Sequence, residues 1–542
     1  MDFRILPVSK QIPIWLLWLS FLMIPAAPTY SEIRLPALIG DHAMFQADKP
    51  IAIWGWAEPR ARVNVLFQST HGIKRGFTET ADATGWWFGH LPAFKTGTIG
   101  QLSVTTDRGD DRVVKDILFG EVWLCGGQSN MEYDIAGTGR TDLKNLKEVA
   151  EVAANVATAK SEAEAAKPPI RYFNVLKRRA SDPVDDVQGK WVIASAENVP
   201  HFSAVAWNFA VALENKLHLP IGLIVSSVGN TPIETWMSEE TLEATSVGAG
   251  VFSRSRLELA AVTPEKIAKY QADLAAWETA NPTPQQQSQN GSAKPVAPPN
   301  LAAANYVPNQ YYNGMIRGLE PYSIRGFIWY QAAGNFMHPF EYSELFIALI
   351  REWRGEWNDS RLPFYFVEES NWGTKQIEPV EPNPISLIRE QQHAVLNLRA
   401  VGMICSVDLG NGSPHYPNKK AVGGRLAGLA LHYEYHQPGR ADSPRYQSFN
   451  VEGNRIRLKF TNAYRLRVRD GGKLRGFAIR GTNGNWVWAA GLIDGPDILV
   501  WSDQVPAPIA VRYAWAVNPT TSIENGAGLP LCPFRTDLQS NN

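Results

Sequence analysis

The segment Gly120-Glu121-Val122-Trp123-Leu124-Cys125-Gly126-Gly127-Gln128-Ser129-Asn130-Met131 carries the clearest chemistry in the chain. An apolar, strand-like run meets two glycines, and a serine opens the turn that follows. Glycines permit a sharp turn and a close backbone approach to a ligand. A serine placed there presents its hydroxyl beside its own N–H, which suits a nucleophile that shares in an oxyanion hole. Gly-Gly-x-Ser is also an ordinary turn, so the serine gains meaning only with a base. Among ten histidines, His415 lies in Asp408-Leu409-Gly410-Asn411-Gly412-Ser413-Pro414-His415-Tyr416-Pro417, just past another apolar run. Ligands of open α/β sheets bind beyond the carboxyl ends of strands, which is where such a loop sits. His338, in a comparable loop, is the competing base.

The elements that must position these residues follow a pattern. Apolar runs at 121–125, 221–226, 324–330, 363–367 and 402–408 alternate with helical stretches at 203–217, 342–353 and 387–398. That alternation predicts a parallel sheet with helices on both faces. Residues 32–117 instead show short alternating strands (Ile51, Ile53; Val63, Val65, Phe67) punctuated by Pro50, Gly55 and Pro59, the mark of a small antiparallel β domain. Alternation returns in 441–542, with Ile456, Leu458 and Phe460 followed by further short runs, which predicts a second, sandwich-like β domain. The α/β domain is then expected over 118–440. It carries an insertion at 239–305 made of an exposed amphipathic helix, 264–279, and a Pro/Gln/Ser/Asn-rich loop, 281–300.

Composition narrows the function classes. Hydrophobic residues make up 44% of the 542, enough for several cores, so wholesale disorder is excluded. Lys+Arg 52 against Asp+Glu 53 leaves a net charge of -1 and no basic run, which argues against a nucleic-acid partner. Cys125, Cys405 and Cys532 have no CxxC spacing; they read as buried small hydrophobes, not as a disulfide scaffold or zinc cluster. Arg4 and Lys10 precede an apolar stretch at 12–27, with the small residues Ala26, Ala27 and Ser31 at and just past its end. This predicts a secretory signal over 1–31, hence a periplasmic or extracellular protein. An uncleaved anchor is the alternative; without it no stable membrane partner is expected.

Further blocks stand in order along the chain. Asp41-His42-Ala43-Met44-Phe45-Gln46 and Trp54-Gly55-Trp56 precede the serine segment. Gly229-Asn230-Thr231-Pro232-Ile233-Glu234-Thr235-Trp236, Tyr312-Asn313-Gly314-Met315-Ile316 and Ile328-Trp329-Tyr330-Gln331 follow it. The histidine block 408–419 and Pro533-Phe534-Arg535-Thr536-Asp537 close the series. Together these blocks resemble the sialate O-acetylesterase family of SGNH-type hydrolases, almost end to end. The resemblance implies an SGNH-type α/β core between two β domains. It implies a serine esterase that removes acetyl groups from sugar hydroxyls, sialic acid or plant glycans among them. Ser129 would be the nucleophile and His415 the general base. The oxyanion would meet the Ser129 N–H, a backbone N–H near Gly229 or Asn230, and an amide of Gln331 or Asn335. The expected partner is an acetylated carbohydrate; this chemistry requires no metal and no organic cofactor.

Two departures touch the third member of a triad. The family pattern continues Trp-Tyr-Gln with Gly-Glu-Ser-Asn, whereas this chain reads Ala332-Ala333-Gly334-Asn335, with Ala333 in the glutamate's place. Family members often carry an acid two or three residues before the histidine, where this chain has Gly412 and Ser413. Asp408 folding back on His415 is one remedy; Glu368 or Glu369, where the family tends to place glutamine, is another. If neither serves, the protein is a catalytically degenerate carbohydrate binder. Arg389 reads as a brace onto carboxylates, and Trp236 and Trp372 as core tryptophans or sugar-stacking platforms.

Overall fold

The computed structural model describes residues 32–138, 146–167, 169–260, 263–280, 307–380 and 383–537. The expected signal, 1–31, and the Pro/Gln-rich loop, 281–300, lie outside the described residues. Among the described residues, no helix is long and apolar enough to cross a membrane.

The first strands are β1 (Met44–Gln46), β2 (Ile51–Trp56), β3 (Arg62–Ser69), β4 (Lys74–Thr80), β5 (Trp86–Leu91) and β6 (Ile99–Thr106). They lead into β7 (Asp111–Gly127), which spans 17 residues and is buried without a break from Ile117 onward. Its first half pairs antiparallel with β6, and Met44–Gln46 runs parallel beside Leu118–Gly120. Its second half becomes the centre of a parallel sheet. The remaining strands there are β8 (Arg171–Asn174), β9 (Trp191–Ile193), β10 (Ile221–Ser227), β11 (Gly326–Tyr330), β12 (Phe364–Val367) and β13 (Val401–Ile404). Their order is β13-β12-β11-β7-β10-β8-β9, all parallel except the edge strand β9. Continuous apolar runs suit strands covered on both faces.

Both faces are covered. Helices Ala204–Leu217 and Lys420–Tyr433 pack on one, with Trp123, Cys125, Ile328, Tyr330 and Tyr365 beneath them. Helices Tyr342–Glu356 and Pro384–Ala394 pack on the other, over Leu124, Phe327, Trp329, Phe364 and Phe366. Strand alternation thus sends Phe327 and Trp329 one way, Ile328 and Tyr330 the other. Ser203 caps the first of these helices by accepting the Ala206 N–H, and Asn383 caps the last by accepting the Ser386 N–H.

Beyond residue 440 the strands form two four-stranded sheets and one two-stranded sheet, with a separate apolar cluster that includes Ile456, Leu458, Ile479, Val500 and Val511. Arg389 ties this region to the parallel sheet. Its guanidinium, 1% exposed, donates to the carbonyls of Glu369, Ser370, Ala516 and Val517. The sequence reading of a brace holds, but the acceptors are backbone carbonyls, not carboxylates.

A buried acidic group near the sheet's far end makes stability depend on pH. Glu320 is 8% exposed, and burial together with the neighbouring Glu356 pushes its carboxyl up to about 9, against the pull of Arg317 at 3.1 Å. A carboxyl raised on folding contributes fully only below its unfolded value, near 4.5, and loses that contribution as pH climbs toward the folded one. The melting temperature should therefore fall by roughly several °C between about pH 5 and about pH 9. Glu320→Gln should flatten that slope; an unchanged profile in the variant refutes the assignment.

Candidate active site

Five loops leave the carboxyl ends of adjacent parallel strands and converge. They follow β7, β10, β11, β12 and β13, and supply Ser129, Gly229–Asn230, Ala333, Glu369 and His415 to one cavity of about 370 Å³. The strand order reverses direction about β7, so the cavity opens at the topological switch point, where such sheets hold ligands.

Glycine makes the turn into Ser129 possible. A Cβ on Gly126 would meet the Trp329 ring at 2.8 Å, and one on Gly127 the Tyr330 carbonyl at 2.3 Å. Gly127 also has a φ of 142°, a region that side chains avoid. The Gln128 N–H then donates to the Tyr330 carbonyl at 3.0 Å, and a single helical turn, Ser129–Glu132, begins. Ser129 is 9% exposed, with its Oγ 2.9 Å from His415 Nε2. The two residues, 286 positions apart in the chain, are thus in hydrogen-bond contact, the geometry that a serine nucleophile and its base require.

The loop that carries His415 is pinned to the serine turn. Asn130 Nδ2 donates to the Pro414 carbonyl at 3.1 Å, and its Oδ1 accepts from Lys419 Nζ at 2.6 Å. Lys419 is 1% exposed and sits 3.6 Å from the centre of the Tyr416 ring. Asn130 and Lys419 therefore help to set the Ser129–His415 distance. Both stand inside motifs visible in the sequence, yet only the folded contact reveals their work.

The three acid candidates separate cleanly. Asp408 does not fold back as expected: both of its oxygens are held by Arg425, at 2.7 and 2.8 Å, and Arg469 adds a third contact at 3.1 Å. Two guanidinium groups outbid a neutral imidazole for one buried carboxylate. Glu368 points away from the cavity and meets His393 Nε2 at 2.7 Å. Glu369 lines the cavity with Ser129 and His415. It is 4% exposed, and burial pushes its carboxyl up to about 7, opposed by Arg389, Lys419, the Ala333 N–H and the Trp372 side chain.

The oxyanion candidates also divide. Gln331 is fully buried; its amide donates to the Thr231 carbonyl at 3.2 Å and to Asn335 Oδ1 at 2.8 Å, while Tyr342 holds its own oxygens. Asn335 donates to Glu234 at 2.7 Å and accepts from the Ile233 N–H at 2.9 Å. Neither lines the cavity, which corrects the expectation that their amides reach substrate. They instead lock the loop 229–236 to the one after β11. The Gly229 N–H donates to the Glu132 carboxylate, which Lys177 also contacts. Asn230 lines the cavity with a φ of 62°. Gln128, another residue the sequence left unremarked, accepts from the Gly334 N–H at 3.0 Å and fixes the loop that carries Ala333. Trp236 is a core residue, whereas Trp372 and Phe336 line the cavity. His338 does not line it.

One solved structure shares this fold, and curated proteins are similar in sequence. A carbohydrate acetylesterase from Xanthomonas citri, known from a crystal structure, matches with a TM-score of 0.74 at 32% identity, over 93% of this chain and 99% of that one. The sialate O-acetylesterase of Mus musculus is 28% identical over 369 residues, 63% of this chain and 61% of the mouse protein. That of Homo sapiens is 28% identical over 337 residues, 59% of this chain and 53% of its own. The chain thus aligns with well under two thirds of the length of the curated relatives it matches. No protein-family model matches it.

The geometry assigns Asp408 to the frame and not to the reaction. Asp408→Asn should lower the melting temperature markedly, since breaking a buried ion pair costs about 3–5 kcal/mol. Covalent labelling of Ser129 by a serine-directed phosphonate should persist in the folded variant. Loss of labelling without loss of stability would return Asp408 to the triad.

Proposed function

The chain belongs to the sialate O-acetylesterase family, and from that premise we propose that it is an SGNH-type carbohydrate O-acetylesterase. The observation that carries the reading is the 2.9 Å contact between Ser129 Oγ and His415 Nε2 at the mouth of a cavity fit for a small ligand. Ser129 Oγ attacks the acetyl carbonyl carbon as His415 Nε2 takes its proton. The oxygen that gains charge is received by the Ser129 N–H and by Asn230. Collapse of the tetrahedral species expels the sugar oxygen, which takes the proton back from His415. Water, deprotonated by the same imidazole, then cleaves the acetyl-serine and releases acetate.

Glu369 takes the acid's part in this proposal, on geometry. It shares the cavity with Ser129 and His415, and the Ala333 N–H, at the position where the family carries glutamate, helps hold its carboxylate. The carboxylate has moved from one loop to its neighbour. This favours an enzyme over a degenerate binder. Phe336 and Trp372 supply apolar walls against which a sugar ring can rest. The apolar stretch at 12–27 adds the proposal that the enzyme works outside the cytoplasm.

Acetate release from p-nitrophenyl acetate and from O-acetylated sugars provides the test. Ser129→Ala should abolish turnover, and Glu369→Gln should lower kcat by roughly 10²–10⁴-fold with the fold intact. Ala333→Glu placed in the Glu369→Ala background should restore part of the rate. A wild-type rate no greater than that of Ser129→Ala would sink the enzyme reading. Full activity in Glu369→Gln would sink the relocated acid alone.

A further inference from the structure

Away from the serine, a second cluster of reactive side chains is buried behind the sheet's end. Glu368 follows β12, His393 lies in the helix Pro384–Ala394, and Cys532 comes from the C-terminal segment just before Phe534–Arg535. One ligand atom from each lies within 4.8 Å of the other two. Glu368 Oε1 and His393 Nε2 are 2.7 Å apart. Glu368 is fully buried, and its second oxygen, Oε2, has no hydrogen-bond partner among the described residues. Cys405, just past β13, adds a further buried thiol beside that of Cys532.

A histidine–glutamate pair alone would not explain this arrangement. It leaves one carboxylate oxygen both dry and unpaired, a costly state that native structures rarely tolerate. It also gives no reason for a thiol at the same point. We propose that Glu368, His393 and Cys532 bind one thiophilic divalent cation of the zinc type.

The donor set suits the ion. Nitrogen, sulfur and carboxylate oxygen bind zinc at about 2.0–2.3 Å, which in a tetrahedron separates ligand atoms by about 3.3–3.8 Å. The cluster reaches that spacing if the Glu368–His393 contact opens slightly and the thiol draws in. On binding, the Cys532 thiol releases its proton to solvent, and the proton between Glu368 Oε1 and His393 Nε2 moves by way of solvent to His393 Nδ1, so that a carboxylate and a neutral imidazole exchange their hydrogen bond for two metal bonds. A dication, a carboxylate and a thiolate then sum to zero charge, which a dry site favours. His393, with 24% of its side chain exposed, provides the route in. The ion would be structural. It would join the end of β12, a helix and the C-terminal segment, one residue from Glu369, and it does not depend on the esterase reading.

The experiment uses the full chain, reduced and stripped with a chelator, then titrated with Zn²⁺ or Co²⁺ alone. We expect about one ion bound per chain, a higher melting temperature with Zn²⁺, and a near-ultraviolet sulfur-to-cobalt charge-transfer band with Co²⁺. Cys532→Ser should remove the band and weaken Zn²⁺ binding by at least ~100-fold, and His393→Gln, the milder change at a partly exposed position, should weaken it similarly. Cys125→Ser should leave both intact. Absence of uptake by the folded, reduced chain would overturn the proposal. So would a cobalt band that survives Cys532→Ser, or a Cys405–Cys532 disulfide in the protein as isolated.

Discussion

The structure depends on β7 being hydrogen-bonded on both sides by parallel neighbours. β10 pairs with it from Glu121 to Gly127 and β11 from Trp123 to Gly127. With both edges taken, the chain leaves the strand at Gly127, where the carbonyl of Tyr330 occupies the place a Cβ would take. It must turn, and the two glycines are the residues that can. Ser129 is thereby delivered to a point fixed by three strands at once. The same register brings the loops after β10 and β11 to either side of it. In the proposed reaction a nucleophile set this way needs little reorganisation, which is the source of most of its advantage.

The surroundings of that point are costly, and the protein offsets the cost with buried hydrogen bonds. Arg389 gives its donors to four carbonyls drawn from the loop after β12 and from residues 516–517. The C-terminal sheets are therefore structural partners of the site, not appendages: they supply half of what holds Arg389, which in turn holds the loop carrying Glu369. Asp408 does comparable work on the other flank, joining Arg425 of a core helix to Arg469 of the C-terminal region. Buried charges of this kind add little net stability, but their loss leaves an unpaired ion, so they enforce one arrangement.

Much of this was legible in the sequence, and the failures have a common cause. The parallel strands, the helices that cover them, Ser129 and His415 could be read because strand–helix alternation and glycine turns are local signals. The strand that leads to Ser129 was expected to begin at residue 121, but it begins at Asp111, because one strand serves two sheets and only tertiary pairing shows it. Asp408 lay close to His415 in the chain, yet Arg425 and Arg469 claim it, and neither partner is near enough in sequence to be suspected. Gln331 and Asn335 had the right chemistry to stabilise an oxyanion. Their direction was set by Thr231, Glu234 and Tyr342, contacts that a linear reading cannot weigh. Side-chain type travels with the sequence; side-chain direction at a convergence of five loops does not.

The proposed exchange of carboxylate between Ala333 and Glu369 is compatible with the same geometry. β11 and β12 are adjacent and parallel, with Trp329 opposite Phe366. The loops that leave them begin side by side and can reach the same volume. A carboxylate rooted in either loop can then face the same imidazole, provided the other loop yields space and a donor. Alanine at 333 yields both: a small side chain and a backbone N–H that helps hold the Glu369 carboxylate. What the fold constrains is the place of the charge, not the strand from which it comes. On the proposed reading, a chain whose acid is rooted on the neighbouring loop shares the chemistry without sharing the residue, and a motif comparison that scores position alone would mistake relocation for loss.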